Sequence, residues 1–273
     1  MKKKILYVIL SIVLVSVGCI EKNNNQYIKE KIVDDLGNQL EFDSIPQRVI
    51  SLAPNLTEMI YDLNFDKYLI GNTLYCNYPE ESQKIEKVGD ILTFNFEKIV
   101  QLKPDLIFIT VEGNTKETYD KFKNLGLKLF VSNPRDYEGI KKSYNDIAKI
   151  FGVEELSRKR TAQWDSIITI MKNESSILRN STGAFFIEVK PIMLAGENTY
   201  FNEFLEVCGL KNITEGMKIN YPIFNREELL KRDPDYIFYP TSPNEKLETV
   251  VNSYPEWRQL KAVNNKRFFL VDR

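Results

Sequence analysis

Three features of the sequence predict an α/β protein of two Rossmann-like lobes, each with a central sheet, joined by a single long helix. Strands and helices alternate through both halves, a strand-free helical stretch separates the halves, and one helix–proline–strand unit occurs twice. A chain of 273 residues that is 43% hydrophobic can fill a core of this size.

The amino terminus reads as an address. Lys2, Lys3 and Lys4 precede an apolar run from Ile5 to Val17, too short to span a bilayer comfortably but of signal-peptide length. Gly18-Cys19 resembles a lipobox, with Ser16 departing from the usual leucine, so residues 1–18 are expected to be a signal peptide and Cys19 the lipidated anchor. An ordinary cleaved signal with an incidental cysteine is the alternative. Residues 19–30, with three consecutive asparagines, read as a solvated tether. The protein is therefore expected outside the cytoplasmic membrane and held close to it.

In the folded part, Ile32 to Phe42 reads as a hairpin around Leu36-Gly37-Asn38. Arg48 to Leu52 is a strand, Asn55 a candidate cap for a helix to about Leu63, and Leu69 to Gly71 a short strand. Asn95 to Leu102 is a helix stopped by Pro104, Leu106 to Thr110 a buried strand, Lys116 to Leu125 a helix stopped by Gly126, and Lys128 to Val131 a strand. Residues 31–150 thus form the first lobe. From Tyr137 a helical stretch breaks near Gly152 and resumes to about Leu178, making residues 151–180 the linking helix. Gly183 to Val189, Phe201 to Cys208, Arg226 to Arg232, Tyr236 to Tyr239 and Arg267 to Val271 supply the strands and helices of the second lobe, residues 181–273.

The echo pairs Phe96 to Phe108 with Arg226 to Phe238 at a constant offset of 130 residues, each copy a helix, a proline stop and an apolar strand. Such connections also recur in unrelated α/β proteins. Two facing lobes place a cleft beyond the carboxyl ends of their strands.

Composition excludes several functions. Lysine and arginine number 37 against 38 acidic residues, so no basic excess exists for nucleic acid. There is no histidine, which removes the commonest general base and transition-metal ligand. Neither a proton-transfer pair nor a metal cluster stands out in the loops, so an enzyme is not expected. Tyr75-Cys76-Asn77-Tyr78-Pro79 and Tyr221-Pro222 instead put aromatic rings on loops at the predicted cleft, where Ile91, Phe94 and Met193 could complete an apolar lining. Cys76 and Cys208 are assigned to different lobes and are expected to stay free.

Arg48 to Glu58, the Tyr75 to Pro79 loop, Phe96 to Phe108, Phe204 to Gly209 and Tyr221 to Glu228 resemble the cobalamin-binding family. This family lies within a wider class of single-helix-linked binding proteins for corrinoids, siderophores and haem. The resemblance runs from about Arg48 to Asp272. It implies capture of a corrinoid and delivery to an ABC permease and its ATPase, with no cofactor beyond the carried metal chelate. It further implies that Tyr75 lines the corrin pocket and that Tyr221 replaces a tryptophan closing the other side. Ile91 and Met193 fall near positions where relatives carry a tryptophan and a phenylalanine. Glu97 and Glu227 match carboxylates that meet permease arginines. Without histidine the protein offers cobalt no imidazole, so cobalamin would keep its own axial base. Relatives continue past the strand at Phe268 to Val271 with a closing helix, so the resemblance implies a shortened second lobe. A ferric siderophore or haem as ligand, with Tyr75 or Tyr78 as an axial group, is the alternative within the class. A surface-anchored enzyme or a ligand sensor is the alternative outside it.

Overall fold

The computed structural model describes residues 31–90, 93–178, 180–241 and 245–272. The expected signal peptide, Cys19, the tether and Ile91 lie outside the described residues.

The chain enters through a hairpin of β1 (Lys31–Val33) and β2 (Gln39–Glu41). Asp34 holds its turn by accepting from the Leu36 and Asn38 amides at 3.0 and 2.8 Å, and its second oxygen accepts from the Val131 amide. The hairpin is thereby pinned to the adjoining sheet. That sheet contains β3 (Val49–Ser51), β4 (Leu69–Asn72), β5 (Leu106–Thr110) and β6 (Leu129–Ser132), all parallel, in the order β4-β3-β5-β6. Its strands are buried because helices cover both faces, and the two-residue side-chain period sorts them. Leu106, Phe108 and Phe130 face a core shared with α1 (Pro54–Asp62). Ile107, Ile109 and Val131 face the opposite core, with Ile99 of α2 (Phe96–Gln101) and Phe122 of α3 (Lys116–Asn124).

Helix α4 (Tyr137–Phe151) packs back onto the first lobe through Tyr144, Ile147 and Phe151. Gly152 ends it at φ 69°, a left-handed turn that glycine takes without a Cβ penalty. The link, α5 (Glu154–Glu174), runs 21 residues, about 30 Å at a rise of ~1.5 Å per residue.

The second lobe contains β7 (Ser181–Val189), β8 (Ile192–Leu194), α6 (Tyr200–Val207), β9 (Leu210–Asn212), β10 (Ile223–Phe224), α7 (Arg226–Arg232), β11 (Tyr236–Thr241), α8 (Leu247–Asn252), α9 (Lys261–Asn264) and β12 (Phe268–Asp272). Its sheet runs β10-β8-β7-β11-β12, with β9 beside the start of β7. This sheet is mixed: β11 is parallel to β7 and β12, whereas β8 folds back antiparallel on β7 and β10 runs antiparallel to β8. Phe186, Trp257 and Phe268 stack in its core. Asn55 is also corrected as a cap, since Ala53 caps α1, Pro54 occupies its first turn and Asn55 follows inside it.

The sequence echo is a repeat in space. Asn95 and Asn225 cap α2 and α7, accepting from the Lys98 and Glu228 amides at 2.9 and 2.7 Å. Lys103 and Asp233 both adopt positive φ, 49° and 40°, just before the prolines. Asp105 then accepts from the Gln47 and Arg48 amides at the entry of β3, and Asp235 from the Thr182 amide and hydroxyl near the start of β7. Each lobe uses the same aspartate clamp to set the register of a central strand.

Candidate functional site

All four strands of the first sheet point their carboxyl ends the same way, and the loops following them form one edge. Asn55 follows β3, Tyr75 and Tyr78 follow β4, Glu112 follows β5, and Asn133 to Arg135 follow β6. The second lobe meets this edge with the start of α6 and the loop leading to β10. A cavity of about 260 Å³ lies between the lobes, lined by Asn55, Met59, Glu112, Ser132 and Asn133 on one side and Tyr200 on the other. A wider and more polar space of about 530 Å³ adjoins it, between Arg135 and Asp136 of the first lobe and the 197–206 segment and Asn220 of the second.

Among the described residues, two hydrogen bonds cross this cleft. The Tyr221 hydroxyl donates to Glu112 Oε1 at 3.0 Å, and the same oxygen receives Arg135 Nη1. The Tyr137 amide, in the first turn of α4, donates to Glu203 of α6. Burial, then the Glu112 carboxylate, pushes the Tyr200 phenol up to about 12 and shifts the Tyr221 phenol upward as well. Both phenols are neutral at physiological pH, and that of Tyr221 donates to Glu112.

The aromatic loop after β4 is built on Lys87. Its ammonium donates to Asn72 Oδ1 at 2.7 Å and to the carbonyls of Thr73, Cys76 and Ser82 at 3.1–3.3 Å. Burial lowers the Lys87 pKa from the usual lysine range. Cys76 is buried beside the Thr57 and Thr73 hydroxyls, which leaves its neighbours Tyr75 and Tyr78 outside, 56% and 67% exposed. Cys76 and Cys208 are both free, the first buried and the second half-buried at the end of α6.

The remaining expected site residues fall in three places. Met193 lies on β8 opposite Ile223, two residues beyond Tyr221. Phe94 packs edge-on to Phe96 and tilts against Phe122, inside its own lobe. Glu97 and Glu227 are exposed in the first turns of α2 and α7, each at the carboxyl edge of its own sheet because each helix leads back into the following strand. The sequence reading did not pick out Glu112, Arg135 or Tyr200. They occupy loops without a motif, and their only signal is position, immediately after β5, after β6 and at the start of α6. Among the described residues no group of three or more acidic, cysteine or histidine side chains is set to hold a metal ion.

Two α/β lobes on one rigid helix, with a cleft between their loop edges, define a two-lobed solute-binding protein. The periplasmic binding protein family matches residues 49–273, and the chain belongs to it. It is similar to the vitamin B12-binding protein of Pectobacterium carotovorum, 28% identical over 203 residues, 74% of each chain. It is also similar to an uncharacterized ABC transporter substrate-binding lipoprotein of Bacillus subtilis, 29% identical over 249 residues, 88% of this chain and 77% of that one. Among solved structures, the periplasmic vitamin B12 binding protein of Vibrio cholerae superposes with a TM-score of 0.71 at 25% identity, covering 84% of this chain and 88% of the other. A periplasmic heme-binding protein of Pseudomonas aeruginosa superposes at 0.75 with 17% identity over 83% and 84%, a likeness of fold. The chain is a solute-binding protein of an ABC importer, with a binding rather than a catalytic role.

Proposed function

We propose that this protein captures a corrinoid such as cobalamin between its lobes and delivers it to an ABC permease and its ATPase. The observation that carries this reading is the cleft itself: Tyr221 reaches across it from one lobe, while the Tyr75 and Tyr78 loop is fixed on the facing edge of the other. Similarity to proteins named for vitamin B12 binding supports the choice of ligand. Tyr75, Tyr78 and Tyr221 would pack the flat faces and rim of the ring system, with Met193 beside Tyr221 and with Ile91 and Phe94 as further apolar lining. A ferric siderophore or haem is the second reading, favoured by the exposed phenols of Tyr75 and Tyr78, which could ligate iron.

Glu97 and Glu227 would steer docking to basic residues of the permease and fix its register. Cys19 would anchor the chain through lipid, residues 19–30 would form the tether, and residues 31–150, 151–180 and 181–273 would act as lobe, link and lobe. Titration calorimetry of the folded domain against cobalamin, cobinamide, haem and ferric siderophores tests the ligand. Heat with the corrinoids alone is the expected result, and heat with haem alone would overturn the assignment. Reversing the charge of both Glu97 and Glu227 should abolish uptake while leaving affinity in solution intact.

A further inference from the structure

We infer that the cleft selects its ligand by charge, with Glu112 as the selecting group, and that it accepts a chelate rimmed by neutral amides while rejecting one rimmed by carboxylates. This rests on the corrinoid reading above and narrows it. The two spaces between the lobes are lined by the carboxylates of Glu112, Asp136, Glu197, Glu203 and Glu206 against the single guanidinium of Arg135. Arg135 is already committed to Glu112. The other acidic groups are turned to amide donors: Asp136 accepts from the Gly139 amide, Glu197 from that of Gly216, Glu203 from that of Tyr137, and Glu206 from the Asn202 side chain. Lys218 is exposed on the loop that carries Tyr221 and lines neither space.

Glu112 matters most because it stands in the smaller cavity, at the place where Tyr221 crosses. A ligand entering beside Tyr221 would displace its hydroxyl from this oxygen or bond beside it. An amide N–H can replace the lost donor, whereas a carboxylate cannot and adds like-charge repulsion in a space from which the ligand excludes water.

The test compares ligands of equal shape and different charge. Cobalamin is set against the same corrinoid with peripheral amides hydrolysed to carboxylates, and haem against its propionate diamide, with wild type and Glu112→Gln at low and at 0.5 M salt. In the wild type cobalamin should bind about tenfold tighter than its hydrolysed form at low salt, with the gap shrinking as salt screens it, and neither member of the haem pair should bind. Glu112→Gln keeps an acceptor for Tyr221 and frees the Arg135 guanidinium, so it should close the gap or reverse it in favour of the carboxylate form. Equal binding of both corrinoids by the wild type, or an unchanged gap in a folded Glu112→Gln, overturns charge selection and leaves corrinoid capture standing. Should the variant not fold, the salt dependence of the wild-type gap decides alone, and a salt-independent gap overturns the inference. Binding of the haem pair alone overturns the corrinoid reading, and a preference for the dicarboxylate then overturns charge selection too. Absence of all binding overturns both.

Discussion

Replacing Lys87 by methionine tests whether one half-buried cation builds the aromatic loop. The ammonium bonds four acceptors within residues 72–82. Three of them keep another partner when it is removed: Ser82 O retains Asn72 Nδ2, Cys76 O retains the Ser82 hydroxyl, and Thr73 O retains the Cys76 amide. Asn72 Oδ1 loses the lysine that it accepts from. The loss is therefore not four charged bonds but one orphaned buried acceptor plus weakened support for the rest, offset by relief of the desolvation that lowers the Lys87 pKa. A net cost of about 2 kcal/mol follows. This corresponds to a fall in Tm of roughly 4–8 °C for a chain of this size. Local opening should rise more than the melt implies, so limited proteolysis at residues 73–82 should accelerate about tenfold or more, with weaker ligand binding as Tyr75 and Tyr78 lose their fixed positions. Lys84→Met, on the exposed neighbouring turn, should change neither. Unchanged melting and unchanged cleavage in Lys87→Met would refute the reasoning.

The repeated clamp predicts matched costs: Asp105→Ala and Asp235→Ala should each lose about 2–3 kcal/mol in urea unfolding, and a loss under 0.5 kcal/mol at either would remove its clamp role. The Tyr200 phenol, pushed up to about 12 from its usual ~10, favours the folded state fully below pH ~10, and this contribution is lost as pH rises through 12. Alkaline titration of stability should therefore show a fall on the order of 2 kcal/mol that Tyr200→Phe lacks. Gly209→Ala would place a Cβ 2.4 Å from the Ser175 carbonyl at φ +71°, and should cost over 2 kcal/mol, whereas Gly216→Ala, at φ +83° in open space, should cost about 1 kcal/mol.

The alternation of elements was legible where a strand is a short apolar run bounded by proline or glycine, as in Leu106 to Thr110 between Pro104 and Gly113. The helix ends at Gly126, Gly152 and Gly209 announced themselves through left-handed turns. The short strands β8, β9 and β10 did not, since two or three residues carry no period and their pairing is decided by distant neighbours. The site divided in the same way. Tyr221 stood out as an aromatic on a cleft loop, but Glu112 and Arg135 meet it only through folding that joins residues 109 apart, and no local pattern marks them. Phe94 illustrates the converse: an aromatic next to a helix start reads equally as lining or packing, and its contacts to Phe96 and Phe122 are ones that a lining residue makes as well.

A flat chelate gripped by both lobes at once should protect both of them. Hydrogen exchange of the folded domain with and without cobalamin measures this directly. Exchange should slow in residues 73–79 and 110–114 of one lobe together with residues 198–206 and 217–222 of the other. Protection confined to one lobe, or lying away from these four segments, would contradict it.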